Sequence, residues 1–352
     1  HRLNVMKAVL NKFNFKGEII TVVENAIGLI NTTYLVTSNT ERYILQKINN
    51  SVFNNPKELM ENINLTTSFL KSIGHKTLDI IKSNKGKLYV VHRGEYWRAF
   101  KYIEGMTFQK VDNIKIVSES ASELARFHRD LKSFPIHNLH NIIPDFHNTV
   151  IIFKIFQDVL LNSPKHLSDK CIEQINYILR KEKDCQIIQE LLVQHKIPLL
   201  VCHNDPKISN VLFDFKLNAI CLIDLDTLMP GTLLTDIADA VRTMCVSETE
   251  DESDLSKLYF KYDYFENFLK SYLKVNKINL NYYELSNIVK SIELIFLEQG
   301  MRFLTDYLNG NCYFKVSYKN QNLVRAKNQL YLSEKVAKNN KKLDAIVKRY
   351  TK

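Results

Sequence analysis

Toward the N-terminus the apolar positions come in short runs that read as strands. Residues 19–23, 32–37 and 42–48 are rich in β-branched and aromatic side chains, with polar turns between them. A weak helical period over residues 1–16 precedes them and predicts a leading helix or strap. Pro56 opens a helical stretch in which Leu59, Ile63 and Leu70 recur on one face, and Gly74 ends it. Further strands are expected at 80–81, 87–92 and 96–103. Glu104-Gly105 then reads as a hinge. Beyond it the period becomes helical. Residues 117–131 form an amphipathic helix through Ala121, Leu124, Ala125, His128 and Leu131, and two or three more helices are expected over 150–195. Others are expected near 236–245, 258–273, 281–308 and 321–349. The pattern predicts an α+β chain of two lobes: a small β-rich lobe over 1–104 and a larger, mostly helical lobe over 105–352.

Composition narrows the class. The 352 residues can bury a large core, and a charged fraction of 24% argues against disorder. No apolar run is long enough to cross a membrane, and no signal-like segment is visible at the N-terminus. The six cysteines lack C-x-x-C spacing, and Cys202 and Cys221 sit inside apolar runs, so reduced core thiols and a cytoplasmic location are expected. The net charge of +10 is spread among accompanying acids rather than gathered in a nucleic-acid-binding motif. Solvated lysine-rich surface with a bias towards an anionic nucleotide is the expectation, with no nucleic-acid or membrane partner.

Three apolar runs interrupt the helical half, at 197–202, 211–214 and 219–223. The first two flank His203-Asn204-Asp205-Pro206-Lys207-Ile208-Ser209-Asn210. Its form, H-x-D-x-x-x-x-N, is the spacing of a kinase catalytic loop. A hairpin turn at 215–218 joins the second run to the third and brings Asn210 beside Asp224 at one end of the hairpin. An amide oxygen and a carboxylate are hard ligands, few in number, of the kind Mg²⁺ takes when ATP phosphates supply the rest. Asp205 in the preceding loop can accept the proton of a hydroxyl lying over the γ-phosphate.

These residues carry a resemblance. The chain resembles the aminoglycoside phosphotransferase/choline kinase superfamily, which has a protein-kinase-like fold, and within it the bacterial N-acetylhexosamine 1-kinases. The resembling segments include Gly28 to Tyr34, Tyr43 to Asn49, Glu61-Asn62-Ile63, the loop 203–210, and Ile223-Asp-Leu-Asp-Thr-Leu-Met-Pro-Gly231. Asp236-Ile-Ala-Asp239-Ala-Val-Arg242 and Gly300-Met-Arg302-Phe-Leu-Thr-Asp306-Tyr-Leu308 belong with them. The resemblance implies ATP and Mg²⁺, with Asp205 as catalytic base and Asn210 and Asp224 as metal ligands. Gly28, Asn31, Thr32 and Thr33 would form the strand turn over the phosphates. Lys47 would hold the α- and β-phosphates with Glu61 as its helix partner, although Glu58 is a rival for that place. Leu29 stands where the family often has histidine. Asp205, Thr227 and Arg302 would face the substrate, and Asp236 would hold the loop through backbone N–H groups.

Several residues keep two readings. Asp226 either assists the metal or orients its loop. Arg302, in an otherwise apolar helix, either donates to a sugar oxygen or pairs with Glu298 or Asp306. Lys207 either neutralises the transferring phosphoryl or is a surface lysine. Arg242 reads as the structural partner of Asp236 or Asp239, while His203, His128 and Trp97 read as structural. The expected function is a Mg-ATP-dependent kinase of the anomeric hydroxyl of N-acetylhexosamines. The alternatives are another acceptor (choline, ethanolamine, homoserine, an aminoglycoside or a different sugar) or a non-catalytic nucleotide-binding protein. The oligomeric state is left open.

Overall fold

A computed structural model describes residues 2–25 and 31–352. Helix α1 (Arg2–Leu10) leads into β1 (Ile19–Asn25), β2 (Thr32–Ser38) and β3 (Arg42–Lys47), then α2 (Pro56–Ser72), β4 (Ile80–Ile81), β5 (Val90–His92) and β6 (Glu95–Lys101). The sheet runs β1-β2-β3-β6-β4, antiparallel throughout, with β5 also on β6. Alternation sorts its side chains onto two faces. Tyr34, Val36, Tyr43, Leu45, Trp97 and Ala99 pack under Val9, Leu10 and Phe13 of the leading helix and its extension. Ile48 and Phe100 join the opposite core, with Leu59, Met60 and Ile63 of α2. Helix α2 begins where expected: the Asn55 side chain caps the Glu58 N–H at 3.1 Å, and Pro56 takes the first turn.

The second lobe contains α3 (Ile114–Leu131), α4 (Thr149–Asn162), α5 (Lys165–Ser168), α6 (Ile172–Arg180) and α7 (Ile187–Val193). After a strand-rich segment come α8 (Leu233–Met244), α9 (Tyr262–Asn276), α10 (Tyr282–Ser286), α11 (Ile288–Leu308), α12 (Gln321–Lys338) and α13 (Asn340–Thr351). Helix α11 is buried along nearly its whole length and is packed by α4, α8 and α12, so it forms the spine of the lobe. The expected helices at 281–308 and 321–349 are each two helices. The breaks fall at Asn287 and Asn339, whose side chains donate to the Tyr283 and Lys335 carbonyls and compete with the helical ladder.

Four short strands lie between α7 and α8. They are β7 (Leu200–Cys202), β8 (Val211–Phe213), β9 (Ala219–Leu222) and β10 (Met229–Gly231). β7 pairs with β10 and β8 with β9. The loop 203–210 therefore leaves one ribbon and enters the other, and the loop 223–228 returns the opposite way. Both loops are pinned at each end, which is what a site with tight geometry requires. Just past the boundary between the lobes, Met106 and Phe213 exchange backbone hydrogen bonds of 2.8 and 2.9 Å. Gly105 precedes this bridge, and a Cβ there would stand 2.7 Å from the Phe213 carbonyl oxygen. Only glycine allows so close an approach. Among the described residues, no helix is long and apolar enough to cross a membrane.

Candidate active site

The loop 203–210 is held from below by one buried carboxylate. Asp236, in the first turns of α8, accepts the N–H groups of His203 at 3.0 Å and Asn204 at 2.8 Å. His128 of α3 donates to the same carboxylate at 2.7 Å, and its other nitrogen meets the Tyr272 hydroxyl at 2.7 Å. Burial by itself would raise the Asp236 pKa; the hydrogen bond and charge of His128, with His203 and the Asn204 N–H, outweigh it and hold the carboxyl below its ordinary range. His128, Cys202 and Asp236 are close enough together to bind a cation. They do not suit one: His128 and Asp236 are spent on each other and on the loop, and burial pushes the Cys202 thiol well up.

His203 braces the loop from within. Its Nε2 meets the Ile223 carbonyl at 2.9 Å and its Nδ1 meets the Asp205 N–H at 3.1 Å. Asn204 adopts a left-handed φ of 67°. Its amide donates to the Thr227 and Met229 carbonyls at 3.0 and 3.2 Å, which joins the two loops. A Cβ on Gly231 would lie 2.5 Å from Asn204 Oδ1, so the strand must be bare there. The Thr227 hydroxyl donates to the His203 carbonyl at 2.5 Å, committing that side chain to the same seam.

The three residues expected to carry the chemistry come together. Asn210 donates its amide to the Asp205 carbonyl at 2.9 Å and to Asp205 Oδ2 at 3.3 Å. Its amide oxygen is thereby the atom left to coordinate. The Asn210 carbonyl accepts the Ile223 N–H at 2.9 Å, one residue before Asp224, close to the register expected from the hairpin turn. Asp224 itself sits at φ 55°, a conformation unusual for a residue other than glycine, asparagine or aspartate. The residue is exposed to the cleft but crowded by protein atoms. That crowding, followed by the charges of Asp226 and Asp205, pushes its pKa up to about 6, against the opposing Lys207 and His203. A hard divalent cation at Asp224 would relieve this repulsion. Lys207 Nζ stands 3.6 Å from Asp205 Oδ2, and the charge of Asp205 raises the lysine's pKa.

The nucleotide side departs from expectation. Gly28 and Leu29 lie outside the described residues. Lys47 belongs to the sheet face of Leu45 and Trp97, away from the second lobe, because it pairs with Trp97 in register. Its ammonium meets Glu95 at 3.2 Å. Glu61 is not its partner: that carboxylate takes His140 at 2.6 Å, with Glu58 also near the same ring at 3.7 Å. The error is one of parity, since a slip of one residue moves a strand side chain to the opposite face. Thr32 lines a shallow hollow with Lys47, Asn49 and Glu95.

The cation that does reach across from the sheet is Arg98. Its guanidinium grips both oxygens of Asp226, with Nη2 at 2.8 Å from Oδ2. Asn31 donates to Asp226 Oδ2 at 3.0 Å, and its own oxygen accepts the Asn49 N–H at 2.9 Å. Gln46 accepts from Arg98 Nε at 2.9 Å and donates to the Thr33 hydroxyl at 3.1 Å.

On the far side of the loop, His147 Nε2 meets the Asn204 carbonyl at 2.7 Å and its Nδ1 meets Glu298 at 2.6 Å. Burial opposes the charge on His147, but Glu298 outweighs it and raises the imidazole's pKa; the reciprocal effect lowers that of Glu298. Arg302, one turn along α11, lies 3.9 Å from Glu298 and stacks on Phe146 at 4.7 Å. Asp306 is not its partner, being spent on the Tyr313 and Phe314 N–H groups and Asn322. Arg242 pairs with Asp239 at 2.8 Å.

A family profile described as the phosphotransferase enzyme family matches residues 21–263, more than half of the chain. The chain belongs to this phosphotransferase family. Solved structures share its fold. An aminoglycoside phosphotransferase from Alicyclobacillus acidocaldarius superposes with a TM-score of 0.64 at 14% identity, over 98% of this chain and 96% of that one. A choline kinase from Cryptosporidium parvum gives 0.61 at 14% identity, over 100% and 99%. A spectinomycin phosphotransferase in complex with ADP and spectinomycin gives 0.63 at 13% identity, over 97% and 98%.

Three residues around these loops escape a reading of the sequence: Arg98, His147 and Asn62. Asn62 is wholly buried and donates to the His140 and Leu228 carbonyls at 2.8 and 3.0 Å, tying α2 to the second lobe. Arg98 did carry a signal. A charged residue between Trp97 and Ala99-Phe100 is costly unless paired, the argument that singled out Arg302. His147 carried none, because its partners lie far away along the chain.

Proposed function

We propose that the chain is a Mg²⁺- and ATP-dependent kinase that phosphorylates the anomeric hydroxyl of an N-acetylhexosamine, giving the sugar 1-phosphate. The observation that carries the kinase reading is the meeting of Asp205, Asn210 and Asp224 on two loops braced by Asp236 and His203. In this reading Asp205 accepts the acceptor hydroxyl's proton while Lys207 offsets charge beside it. Asn210 and Asp224 would hold the magnesium, which neutralises charge developing on the phosphates. Asn31, Thr32 and Thr33 stand at the start of β2, and the lobes divide at Glu104-Gly105. An anomeric hydroxyl is more acidic than an ordinary alcohol, which eases the loss of its proton to Asp205.

The sugar assignment rests on two narrow motifs, Ile223 to Gly231 and Gly300 to Leu308. It is supported by the position of Arg302, connected to the catalytic loop through Glu298, His147 and the Asn204 carbonyl. A guanidinium held in this way is a donor for sugar and N-acetyl oxygens, and it is a like charge to choline or an aminoglycoside. The test is ADP release with Mg-ATP against N-acetylglucosamine, N-acetylgalactosamine, galactose, choline, homoserine and kanamycin. Turnover on the N-acetylhexosamines is expected; turnover on another acceptor alone would discard the sugar assignment.

A further inference from the structure

We propose that Arg98 is a positioning residue that sets the register of the two lobes across the nucleotide site by holding Asp226 out of the metal's ligand set. The pair is deeply buried, with Arg98 3% and Asp226 5% exposed. It joins the two lobes, since Arg98 lies on β6 and Asp226 follows the hairpin that presents Asp224. Both Asp226 oxygens are occupied, one by Arg98 and the other by Arg98 and Asn31. Asp226 is therefore withheld from a cation, although it stands two residues from Asp224.

The sheet is built to deliver this contact. Thr33, Gln46 and Arg98 are opposite one another in register on β2, β3 and β6. Their side chains form one hydrogen-bonded row along the inner face, ending at Asp226. Met60 of α2 and the ring of Phe100 flank the guanidinium, and Asn31 adds the segment entering β2. Three strands, one helix and the 223–228 loop thus converge on one ion pair. A buried pair adds little net stability over an apolar substitute, yet removing one partner leaves a bare charge. What the pair does supply is a single geometry, because a planar fork accepts a carboxylate in few orientations. Lysine, a point charge, would not reproduce it.

The catalytic readout of this inference rests on the kinase reading; its binding readout needs no acceptor. The experiment compares Arg98→Gln, Arg98→Lys, Asp226→Asn and the double variant Arg98→Gln/Asp226→Asn in the full chain. Magnesium is titrated into each with a non-hydrolysable ATP analogue, and kcat and KM are measured on the acceptor the wild type uses. In Arg98→Gln, the released Asp226 adds negative charge beside Asp224. The magnesium concentration for half-maximal binding should fall about fivefold while kcat falls about 30-fold, with acceptor KM little changed. Asp226→Asn should repair both effects in the double variant, recovering about tenfold in kcat over Arg98→Gln alone. Arg98→Lys should fall between Arg98→Gln and wild type. Melting without metal should likewise improve from the single to the double variant. An unchanged magnesium midpoint in Arg98→Gln, or losses that simply multiply in the double variant, would overturn the inference. Were the wild type to turn over no acceptor, the kinase reading would fall while the magnesium titration still decided this claim.

Discussion

Asp224 shows what crowding and neighbouring charge cost a carboxylate. Its pKa is raised to about 6 from the ordinary 3.8, by crowding and then by Asp226 and Asp205. The stabilising contribution of such a group is fully present below the unfolded pKa and is lost as pH rises through the folded one. Asp224 therefore destabilises the metal-free fold at neutral pH. Asp224→Asn, which suits the left-handed backbone there, should melt above wild type at pH 7.5 without magnesium, and the difference should close as pH falls towards 4. Equal melting at pH 7.5 would contradict this. The same variant should lose most activity. Asp205→Asn should keep nucleotide binding and lower kcat by about 10²- to 10⁴-fold, measured by calorimetry and ADP release. An unchanged rate would remove the base assignment. Asp205, Asn210 and Asp224 were legible because one short stretch of chain and one hairpin fix their separation. Lys47 and Glu61 were not, because their partners depend on strand parity and on where the loop before α4 brings His140.

Elements were legible wherever periodicity and punctuation agreed. Helix α2 carries an asparagine cap, a proline in its first turn and a stopping glycine, and its limits lie within a residue of expectation. The splits at Asn287 and Asn339 were not legible, because periodicity survives a single-residue break. The close approaches at Gly105 and Gly231 were also invisible, since sequence does not show which backbone will pass nearby. They lead to a prediction about the hinge. Gly105→Ala would place its Cβ 2.7 Å from the Phe213 carbonyl oxygen and 2.9 Å from the Leu212 side chain. The clash involves backbone on one side, so β8 must shift, and a loss of about 1–3 kcal/mol is expected in denaturant unfolding. A wild-type midpoint would mean that the hinge has more room than this geometry gives it. Gly231→Ala should instead act on Asn204 and lower kcat more than stability.

The two-lobed arrangement followed from the change of hydrophobic period near Glu104, and the phosphotransferase fold from the order of its motifs. Between the lobes, what the sequence withheld was the set of contacts that join them, Asn62 to Leu228 and Arg98 to Asp226. Such contacts pair residues far apart in the chain, and no local pattern announces them. They close the cleft between the lobes around a braced loop, with the Arg302 helix approaching from the other side. The central claim is that this assembly transfers the γ-phosphoryl of ATP to the anomeric oxygen of an N-acetylhexosamine. The most direct measurement is phosphorus NMR of the product formed from N-acetylglucosamine or N-acetylgalactosamine with Mg-ATP. The account predicts one phosphate ester, coupled to the anomeric proton, in step with ADP. Phosphate found on C6, or released only as inorganic phosphate, would contradict it.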